Sequence, residues 1–262
     1  MAHLHCEFFS DVLGQSTTAE VLLPEKSEVC TSFTGNAHPG PFPVLYLLHG
    51  YNGDETVWSR YTALERYAGR YPFAVVMPRG NHSYYADSDA TGYDYRRFLT
   101  EELPAKMKHF FNISDRRDQT VIAGLSMGGY GAVTCALTHP ERYCAAASLS
   151  GMLDPAAKYA DGSVRDHCRR ALGGTVGEMR ARGNDPILLL EQAAAAEEEL
   201  PHFYTVCGRE DSLYLHTVTF RDACRACGVP CDFAESSGDH DWDYWDRELP
   251  AALEWLSRQI SL

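Results

Sequence analysis

Residues 120–130, TVIAGLSMGGY, decide the fold of this chain. The apolar run TVIAGL predicts a strand buried on both faces, and the residues after it predict a helix that ends before Pro140. Between them stands Gly124-Leu125-Ser126-Met127-Gly128, a G-x-S-x-G pattern at a strand-to-helix junction. Glycines on both sides of a serine allow a sharp turn that exposes its hydroxyl beside the helix N-terminus. The pattern indicates a nucleophilic Ser126; the alternative is a glycine-rich turn with an incidental serine.

Similar apolar runs stand on either side of this one: VLYLLHG (44–50), FAVVMPRG (73–80), AAASLSG (145–151) and FYTVCGRE (203–210). They lack the alternation of a solvent-facing sheet and end in glycine or polar residues, which is typical of parallel strands. Helical patterns separate them, for example at 56–71, and Pro104 predicts a helix break or a new helix start. At the N-terminus, HLHCEFF and TTAEVLLPE predict an antiparallel hairpin on the sheet edge. The chain is thus predicted to be one α/β domain, residues 1–262, with a mostly parallel sheet and helices on both faces.

Residues 152–200 depart from this regular alternation of strands and helices. They carry short helical patterns and the low-complexity run EQAAAAEEEL, which predicts a surface helix. Ligand sites of open α/β sheets lie outside the carboxyl ends of the strands. We therefore expect residues 152–200 to form a small, lid-like insertion over that edge.

A serine nucleophile needs a base, and the base needs an orienting acid. With this motif, the acid and then the histidine follow the serine along the chain. Asp211 follows the run FYTVCGRE and is the predicted acid, with Glu210 as the alternative. His240 lies in a polar turn near the C-terminus and is the predicted base. Its rival is His216, but LYLHTVTF predicts a helix, where a histidine more often packs.

Hydrolysis through a serine also needs two backbone N–H groups that bind the developing oxyanion. Met127, directly after the nucleophile, should supply one of them. Tyr51, directly after the run VLYLLHG, should supply the other. His49 either braces this loop or packs at the strand end.

Aromatic residues flank the predicted site in the sequence. Tyr84 and Tyr85 follow the run that ends in PRG, so they either border the site or pack on the surface. Trp242 and Trp245 should pack the closing helix and fix the loop of His240.

The composition excludes several classes of partner. The chain has 23 Lys+Arg against 36 Asp+Glu, a net charge of −13, and no basic cluster that could bind nucleic acid or an anionic membrane. No apolar run is long enough to span a membrane. The N-terminus, MAHLHCEFFSDV, lacks the pattern of a secretory signal, and nine cysteines, an odd number, fit reduced thiols. We therefore expect a cytoplasmic protein.

Two short segments contain residue types that can bind a metal ion. CRACGVPC (224–231) holds Cys224, Cys227 and Cys231, but no second ligand pair stands at a suitable spacing. The same residues predict a helix that ends at Gly228 and a strand after it. HLHC (3–6) could bring His3, His5 and Cys6 to one strand face, but a metal site there is disfavoured. No metal is expected.

Segments along nearly the whole chain resemble the esterase D-type α/β-hydrolases, and within them the tributyrin esterase and cinnamoyl (feruloyl) esterase branch. The resemblance rests on LLHGYNGDETVW, ALERYA, SYYADSDATGYDYRRFLTEELP, GLSMGGYGA, CGREDSLY and GDHDWDYWD. It implies the α/β-hydrolase fold with an eight-stranded sheet. It also implies Ser126 as nucleophile, Asp211 as acid, His240 as base, Tyr51 and Met127 as oxyanion donors, and no metal or organic cofactor. The three clustered thiols are not part of this family pattern.

The sequence thus predicts a serine carboxylesterase that hydrolyses short-chain acyl or hydroxycinnamoyl (feruloyl-type) esters through an acyl-enzyme. One alternative is a thioesterase such as S-formylglutathione hydrolase, which the oxyanion loop HGYNGDE disfavours. Another is a non-catalytic binding protein of the same fold, which the presence of all three catalytic candidates disfavours. The expected partner is a small-molecule ester, with no nucleic acid and no membrane span; a homo-oligomer is compatible with the sequence.

Overall fold

The apolar runs form the centre of one eight-stranded sheet in the computed structural model, which describes residues 1–25 and 40–262. The strands are β1 (Ala2–Ser10), β2 (Gln15–Leu23), β3 (Val44–Leu48), β4 (Ala74–Pro78), β5 (Thr120–Leu125), β6 (Ala145–Leu149), β7 (His202–Gly208) and β8 (Cys231–Ser236). Their order in the sheet is β1-β2-β4-β3-β5-β6-β7-β8. The pairs β1–β2 and β2–β4 are antiparallel, and all other neighbours are parallel. The predicted mostly parallel sheet and the N-terminal hairpin at its edge are confirmed.

The central strands are continuous apolar runs because both faces of the sheet are covered. Every residue of β3, β4, β5 and β6 is buried. Successive side chains of a strand point to opposite faces. In β3, Tyr46 therefore packs into one core, whereas Leu45 and Leu47 pack into the other.

Helices cover both faces, as predicted. They are α1 (Val57–Tyr61), α2 (Leu64–Ala68), α3 (Leu103–Phe110), α4 (Met127–Thr138), α5 (Pro155–Ala160), α6 (Asp166–Leu172), α7 (Val176–Ala181), α8 (Pro186–Ala195), α9 (Tyr214–Cys227) and α10 (Trp242–Gln259). Buried side chains of α1, α2 and α10 belong to one core, and those of α3, α4 and α6 to α9 belong to the other. Gly228 ends α9 in the left-handed conformation, with φ of 70°, and β8 begins three residues later.

The helical pattern at 56–71 predicts one helix, but the structure divides it into α1 and α2. Thr62 lies between them with extended backbone, φ −133° and ψ 170°, and its hydroxyl donates to the Trp58 carbonyl at 2.5 Å. The Ala63 N–H then donates to the carboxylate of Asp246 on α10 at 3.0 Å. A threonine hydroxyl competes with the helical backbone bonds, and a distant carboxylate caps the new helix start.

Pro104 lies in the next helical stretch along the chain. A short helical turn, Tyr95–Arg97, continues into a π-helical turn, Phe98–Glu102, and α3 then begins at Leu103. The Leu103 N–H donates to the Phe98 carbonyl, so the helical backbone continues into α3, where Pro104 stands in the first turn. Pro104 therefore lies at the change from π-helical to α-helical turns and not at a break between two helices. A small two-stranded pairing, Asp87–Ser88 with Tyr93–Asp94, lies outside the main sheet.

Four short helices, α5 to α8, occupy the chain between β6 and β7. Leu153, Leu172 and Leu190 from this segment are fully buried in the same core as α4. The run EQAAAAEEEL is helical only as far as Ala195, where α8 ends. The single domain over 1–262 and a lid-like role for 152–200 stay predictions. In the part of the chain that the structure describes, no helix is long and apolar enough to cross a membrane.

Candidate active site

Ser126 lies in the tight turn between β5 and α4, as the sequence predicts. Its backbone has φ of 53° and ψ of −114°, a conformation that residues with a β-carbon rarely adopt. Its N–H donates to the Leu149 carbonyl at 2.9 Å, which ties the turn to β6. A β-carbon on Gly128 would lie 2.4 Å from the Leu48 carbonyl oxygen, so this position requires glycine.

His240 bridges Ser126 and Asp211, although the three residues are far apart in sequence. Its Nε2 lies 2.9 Å from the Ser126 Oγ, and its Nδ1 lies 2.8 Å from the Asp211 Oδ2. A charged carboxylate only accepts hydrogen bonds, so the Nδ1–H donates to Asp211. That tautomer leaves Nε2 as an acceptor for the serine hydroxyl. The structure thus brings together the three residues that the sequence analysis selected.

Asp211 is held as an anion beneath the histidine. Its side chain is completely buried, whereas that of His240 is 29% exposed. Burial raises the pKa of Asp211, but several groups act in the opposite direction and lower the pKa below its ordinary value. They are the hydrogen bond and the charge of His240, followed by hydrogen bonds from the Leu213 N–H and Ser150. The Leu213 N–H donates to its Oδ1 at 2.7 Å. Asp211 therefore stays ionised and can orient the imidazole.

Tryptophan side chains fix the loop that carries His240. The Trp245 ring packs edge-on against the His240 ring, with centroids 4.9 Å apart, and its Nε1–H donates to the Ser150 Oγ at 3.1 Å. Trp242 packs against Trp245 and against Trp58 of α1. The first turn of α10 therefore positions the imidazole, as the sequence predicts.

Tyr51 and Met127, the predicted oxyanion donors, line the same cavity as Ser126. Among the described residues, neither the Tyr51 N–H nor the Met127 N–H donates to another group. The Tyr51 ring lies between the imidazoles of His82 and His167, with centroids 4.2 Å from each. Neither histidine could be found from the sequence, because each becomes a neighbour of Tyr51 only through the tertiary fold.

His49 braces the loop that ends at Tyr51. Its Nδ1 lies 2.7 Å from the Gly50 carbonyl oxygen, and the Gly80 N–H donates to its Nε2 at 2.9 Å. The ring is therefore neutral, with its proton on Nδ1. Burial lowers the pKa of His49 and so favours this neutral form, although the bond to Gly50 opposes the shift.

The alternative acid, the alternative base and Tyr85 do not take part in the contacts among Ser126, His240 and Asp211. Glu210 is exposed and accepts a hydrogen bond from the Gly238 N–H at 2.6 Å. His216 is buried on α9, where its Nδ1 accepts from the Asp154 N–H at 3.2 Å. Tyr85 packs in the core, and its hydroxyl donates to the His49 carbonyl.

Two cavities meet at Ser126, and both also contain Tyr51, Asn52 and His240. The α5–α6 cavity, of about 260 Å³, has further lining residues from four parts of the chain: Tyr84, Met127, Met152, Lys158, Ser163, Arg165, His167, Cys168, Ser212 and Leu213. The tryptophan cavity, of about 550 Å³, is further lined by Gly50, Gly53, Asp54, Val57, Arg60, Tyr61, Leu125, Asp241, Trp242 and Trp245. A substrate with groups on both sides of a scissile carbonyl can therefore place one group in each cavity.

Within residues 1–25 and 40–262, no group of three or more His, Cys, Asp or Glu side chains could hold a metal ion. Cys224, Cys227 and Cys231 are free thiols, and none of them lines either cavity. His3 and His5 both contact the carboxylate of Glu20, each at 2.7 Å. The ninth cysteine, Cys30, lies outside the described residues.

Comparison with known proteins agrees with this geometry. Residues 10–256 match the family model described as a putative esterase. The chain is 28% identical over 265 residues to an acetyl esterase of Caldicellulosiruptor saccharolyticus, covering 98% of this chain and 99% of that protein. A fluorophosphonate-binding serine hydrolase of Staphylococcus aureus, solved with substrate bound, is 33% identical over 98% of both chains, with a TM-score of 0.85.

Two further solved structures are similar over almost their full length. An S-formylglutathione hydrolase of Staphylococcus aureus is 33% identical over 98% of both chains, with a TM-score of 0.83. A ferulic acid esterase is 25% identical over 99% of both chains, with a TM-score of 0.79. The chain belongs to the esterase family of α/β-hydrolase fold, and it is a carboxylic ester hydrolase.

Proposed function

We propose that this protein is a serine carboxylesterase that works through an acyl-enzyme, with Ser126 as nucleophile, His240 as general base and Asp211 as the acid that orients it. The observation that carries the proposal is the imidazole of His240, within hydrogen-bond distance of both other side chains at 2.9 and 2.8 Å. A nucleophile, a base and an orienting acid in this arrangement are what acyl transfer through serine requires.

In the first half of the reaction, the Ser126 Oγ attacks the ester carbonyl while His240 takes its proton on Nε2. The N–H groups of Tyr51 and Met127 bind the oxyanion of the tetrahedral intermediate. Each such donor contributes about 3–4 kcal/mol to stabilising the transition state in known cases. The alcohol leaves with the proton from His240. Water then attacks the acyl-enzyme by the same steps and releases the acid.

The proposed substrates are esters of short acyl or hydroxycinnamoyl groups. The α5–α6 cavity, at about 260 Å³, is just below the roughly 300–1,000 Å³ of pockets for drug-sized ligands, which supports a small group on that side of the ester. The similar acetyl esterase and ferulic acid esterase support the two substrate types. The wider tryptophan cavity has room for an aryl group.

The test compares initial rates on 4-nitrophenyl acetate, butyrate and octanoate and on methyl ferulate for the wild type and Ser126→Ala. We expect the wild type to hydrolyse at least one series and the variant to lose nearly all of that rate. Circular dichroism and the melting temperature of the variant control for folding. A folded Ser126→Ala protein that keeps its activity would refute the role of Ser126.

A thioesterase activity is the second candidate function. The observation that favours it is the 33% identity to an S-formylglutathione hydrolase over 98% of both chains. Matched oxygen and thiol esters of the same acyl group separate the two: a kcat/KM ratio far in favour of the thioester would select the thioesterase. A fluorophosphonate probe that labels the wild type but not Ser126→Ala excludes the non-catalytic binding protein. A cytoplasmic location, the absence of a nucleic-acid partner and a homo-oligomer stay predictions.

A further inference from the structure

The two cavities that meet at Ser126 differ in charge. The α5–α6 cavity is lined by Lys158 and Arg165, and no carboxylate is among its lining residues. The tryptophan cavity is lined by Asp54 and Asp241 together with the cation Arg60. An ester that spans the serine therefore meets two cations on one side and mixed, partly acidic polar groups on the other.

The two cations of the α5–α6 cavity have no ion-pair partner among the residues that the structure describes. No described carboxylate lies within 4.0 Å of the Lys158 ammonium or the Arg165 guanidinium, and neither side chain donates a hydrogen bond. Asp161 is exposed, and its carboxylate accepts the Ser163 N–H at 2.8 Å. Hydrogen bonds from Ser163 and, after them, the charge of Lys158 lower the pKa of Asp161, so this acid acts on Lys158 without contacting it. Unpaired cations in a cavity that contains a nucleophile are available to a ligand.

Other arginines of the same segment are already engaged. Arg180 pairs with Asp185 at 2.9 Å, and Arg182 lies 3.7 Å from Asp89. The Arg169 guanidinium donates to the Gly174 carbonyl at 2.8 Å. Arg170 on α6 also has no ion pair among the described residues, but it is exposed and does not line the α5–α6 cavity. Lys158 and Arg165 are thus the cations of this segment that are both unpaired and close to Ser126.

His167 does not act as a third cation in this cavity. Burial, followed by the charges of Arg165 and Arg170, lowers the pKa of His167, which favours the neutral imidazole. The neutral ring stacks on Tyr51, and its Nε2 lies 3.2 Å from the Tyr84 hydroxyl. The positive charge of the cavity therefore comes from two side chains that substitution can remove without disturbing this stack.

We propose that the α5–α6 cavity binds a carboxylate carried by the substrate, with Lys158 and Arg165 as the residues that select it. The inference rests on the proposed function, because it concerns which ester Ser126 attacks. Arginine presents a planar fork that matches a carboxylate, and lysine supplies a compact positive charge. The chain as a whole has a net charge of −13 and does not attract anions. Recognition of an anionic ester must therefore be local, and this pair provides it beside the nucleophile.

Matched substrates test the charge on each side of the ester bond. For the alcohol side, 4-acetoxybenzoate is compared with 4-acetoxybenzamide, which is neutral and of similar size. For the acyl side, mono-4-nitrophenyl adipate is compared with 4-nitrophenyl hexanoate, after subtraction of spontaneous hydrolysis. The quantity measured is the ratio of kcat/KM for the charged ester to that for its neutral partner. The pair that shows the effect assigns the side of the ester that occupies the cavity.

The variants are Lys158→Gln, Arg165→Gln and the double substitution, with Arg225→Gln as the control. Arg225 is an exposed cation on α9 that lines neither cavity at Ser126, so its loss changes the net charge equally. We expect each cavity variant to lower the ratio about three- to tenfold in one substrate pair, and the double variant to lower it further. Arg225→Gln should leave the ratio within about twofold. An unchanged ratio in both pairs for the double variant would overturn the proposal.

A binding measurement separates failure of this inference from failure of the proposed function. Calorimetry of 4-acetoxybenzoate with Ser126→Ala needs no turnover, and it should show weaker binding when Lys158 and Arg165 are also replaced. If the wild type hydrolyses neither neutral nor charged esters, the proposed function fails, and the binding result alone decides the inference. Equal binding, or none, in both backgrounds overturns it. If neutral esters are hydrolysed but the ratio of kcat/KM for charged and neutral esters is the same in the wild type and the variants, only the inference fails.

Discussion

Ser126→Gly should be more stable than Ser126→Ala, and both variants should lose the proposed catalytic activity. The backbone of Ser126, with φ of 53° and ψ of −114°, is close to the first central position of a type II′ turn. Glycine is favoured there because it has no β-carbon. Ser126→Ala keeps the β-carbon and the strained backbone, so it is the matched control. Both variants lose the hydroxyl that contacts His240, so the effect of losing this contact cancels when their unfolding free energies are compared.

The magnitude follows from two opposing terms. Strain at such a position costs about 1–3 kcal/mol. Glycine gives back roughly 0.5–1 kcal/mol because it is more flexible in the unfolded chain. The free energy of unfolding of Ser126→Gly should therefore exceed that of Ser126→Ala by about 0.5–2 kcal/mol. For a chain of this length, that corresponds to a melting temperature roughly 1–8 °C higher.

Urea unfolding and calorimetry of the two variants measure this difference, and hydrolysis of 4-nitrophenyl butyrate measures activity. We expect both variants to be nearly inactive and only the glycine variant to be stabilised. If Ser126→Gly were no more stable than Ser126→Ala, the turn would not store strain at this residue. The explanation of the G-x-S-x-G turn as a strained support for the nucleophile would then be wrong.

Asp211→Asn should lower kcat by roughly 10³–10⁴-fold, because the amide no longer holds the required histidine tautomer. Glu210→Gln, at the exposed neighbouring residue, is the control and should change kcat about twofold at most. Equal losses of kcat in the two variants would reject Asp211 as the acid. Gly128→Ala should destabilise the protein by about 1–3 kcal/mol in urea unfolding, because its β-carbon would lie 2.4 Å from a backbone oxygen of β3. Gly177→Ala in α7 is the control, because its β-carbon would meet only the Thr175 Oγ1 at an ordinary contact distance of 3.8 Å; it should be neutral or up to about 1 kcal/mol stabilising. A similar cost at both glycines would argue against the close approach at Gly128. Burial lowers the pKa of His49, so the unfolded chain binds a proton at higher pH than the folded protein does. Its contribution to stability is therefore full above the ordinary histidine pKa of about 6.5 and is lost as the pH falls below it, by at most about 1.4 kcal/mol per pH unit. His49→Gln should flatten the fall in unfolding free energy between pH 6.5 and 5.5, and an unchanged slope would show that this ring does not titrate on unfolding.

The sequence could predict the sheet because its central strands leave a strong local signal. A strand buried on both faces must be apolar at every position, and β3, β4, β5 and β6 are. Gly228 marks the end of α9, and Pro104 marks the change from π-helical to α-helical turns, both for reasons local to the backbone. The division of 56–71 into two helices could not be predicted, because a carboxylate on α10, about 180 residues away, caps the second one.

The same distinction holds for the candidate site. Ser126 could be selected from the sequence because its turn requires glycines at fixed spacing, and those glycines are visible in one short stretch. Asp211 and His240 were chosen by their order along the chain and by the family resemblance. Only the fold sets the distances of 2.8 and 2.9 Å that join them to each other and to the serine.

What the sequence by itself determined is therefore the buried sheet, the strained turn at Ser126 and the glycines next to this serine along the chain. What only the tertiary structure decided is the surroundings: the stack of Tyr51 between His82 and His167, and the two cations of the α5–α6 cavity. The physical reason is that backbone conformation and burial depend on neighbours along the chain. The charge and shape of a cavity depend instead on side chains that meet only after distant segments have packed.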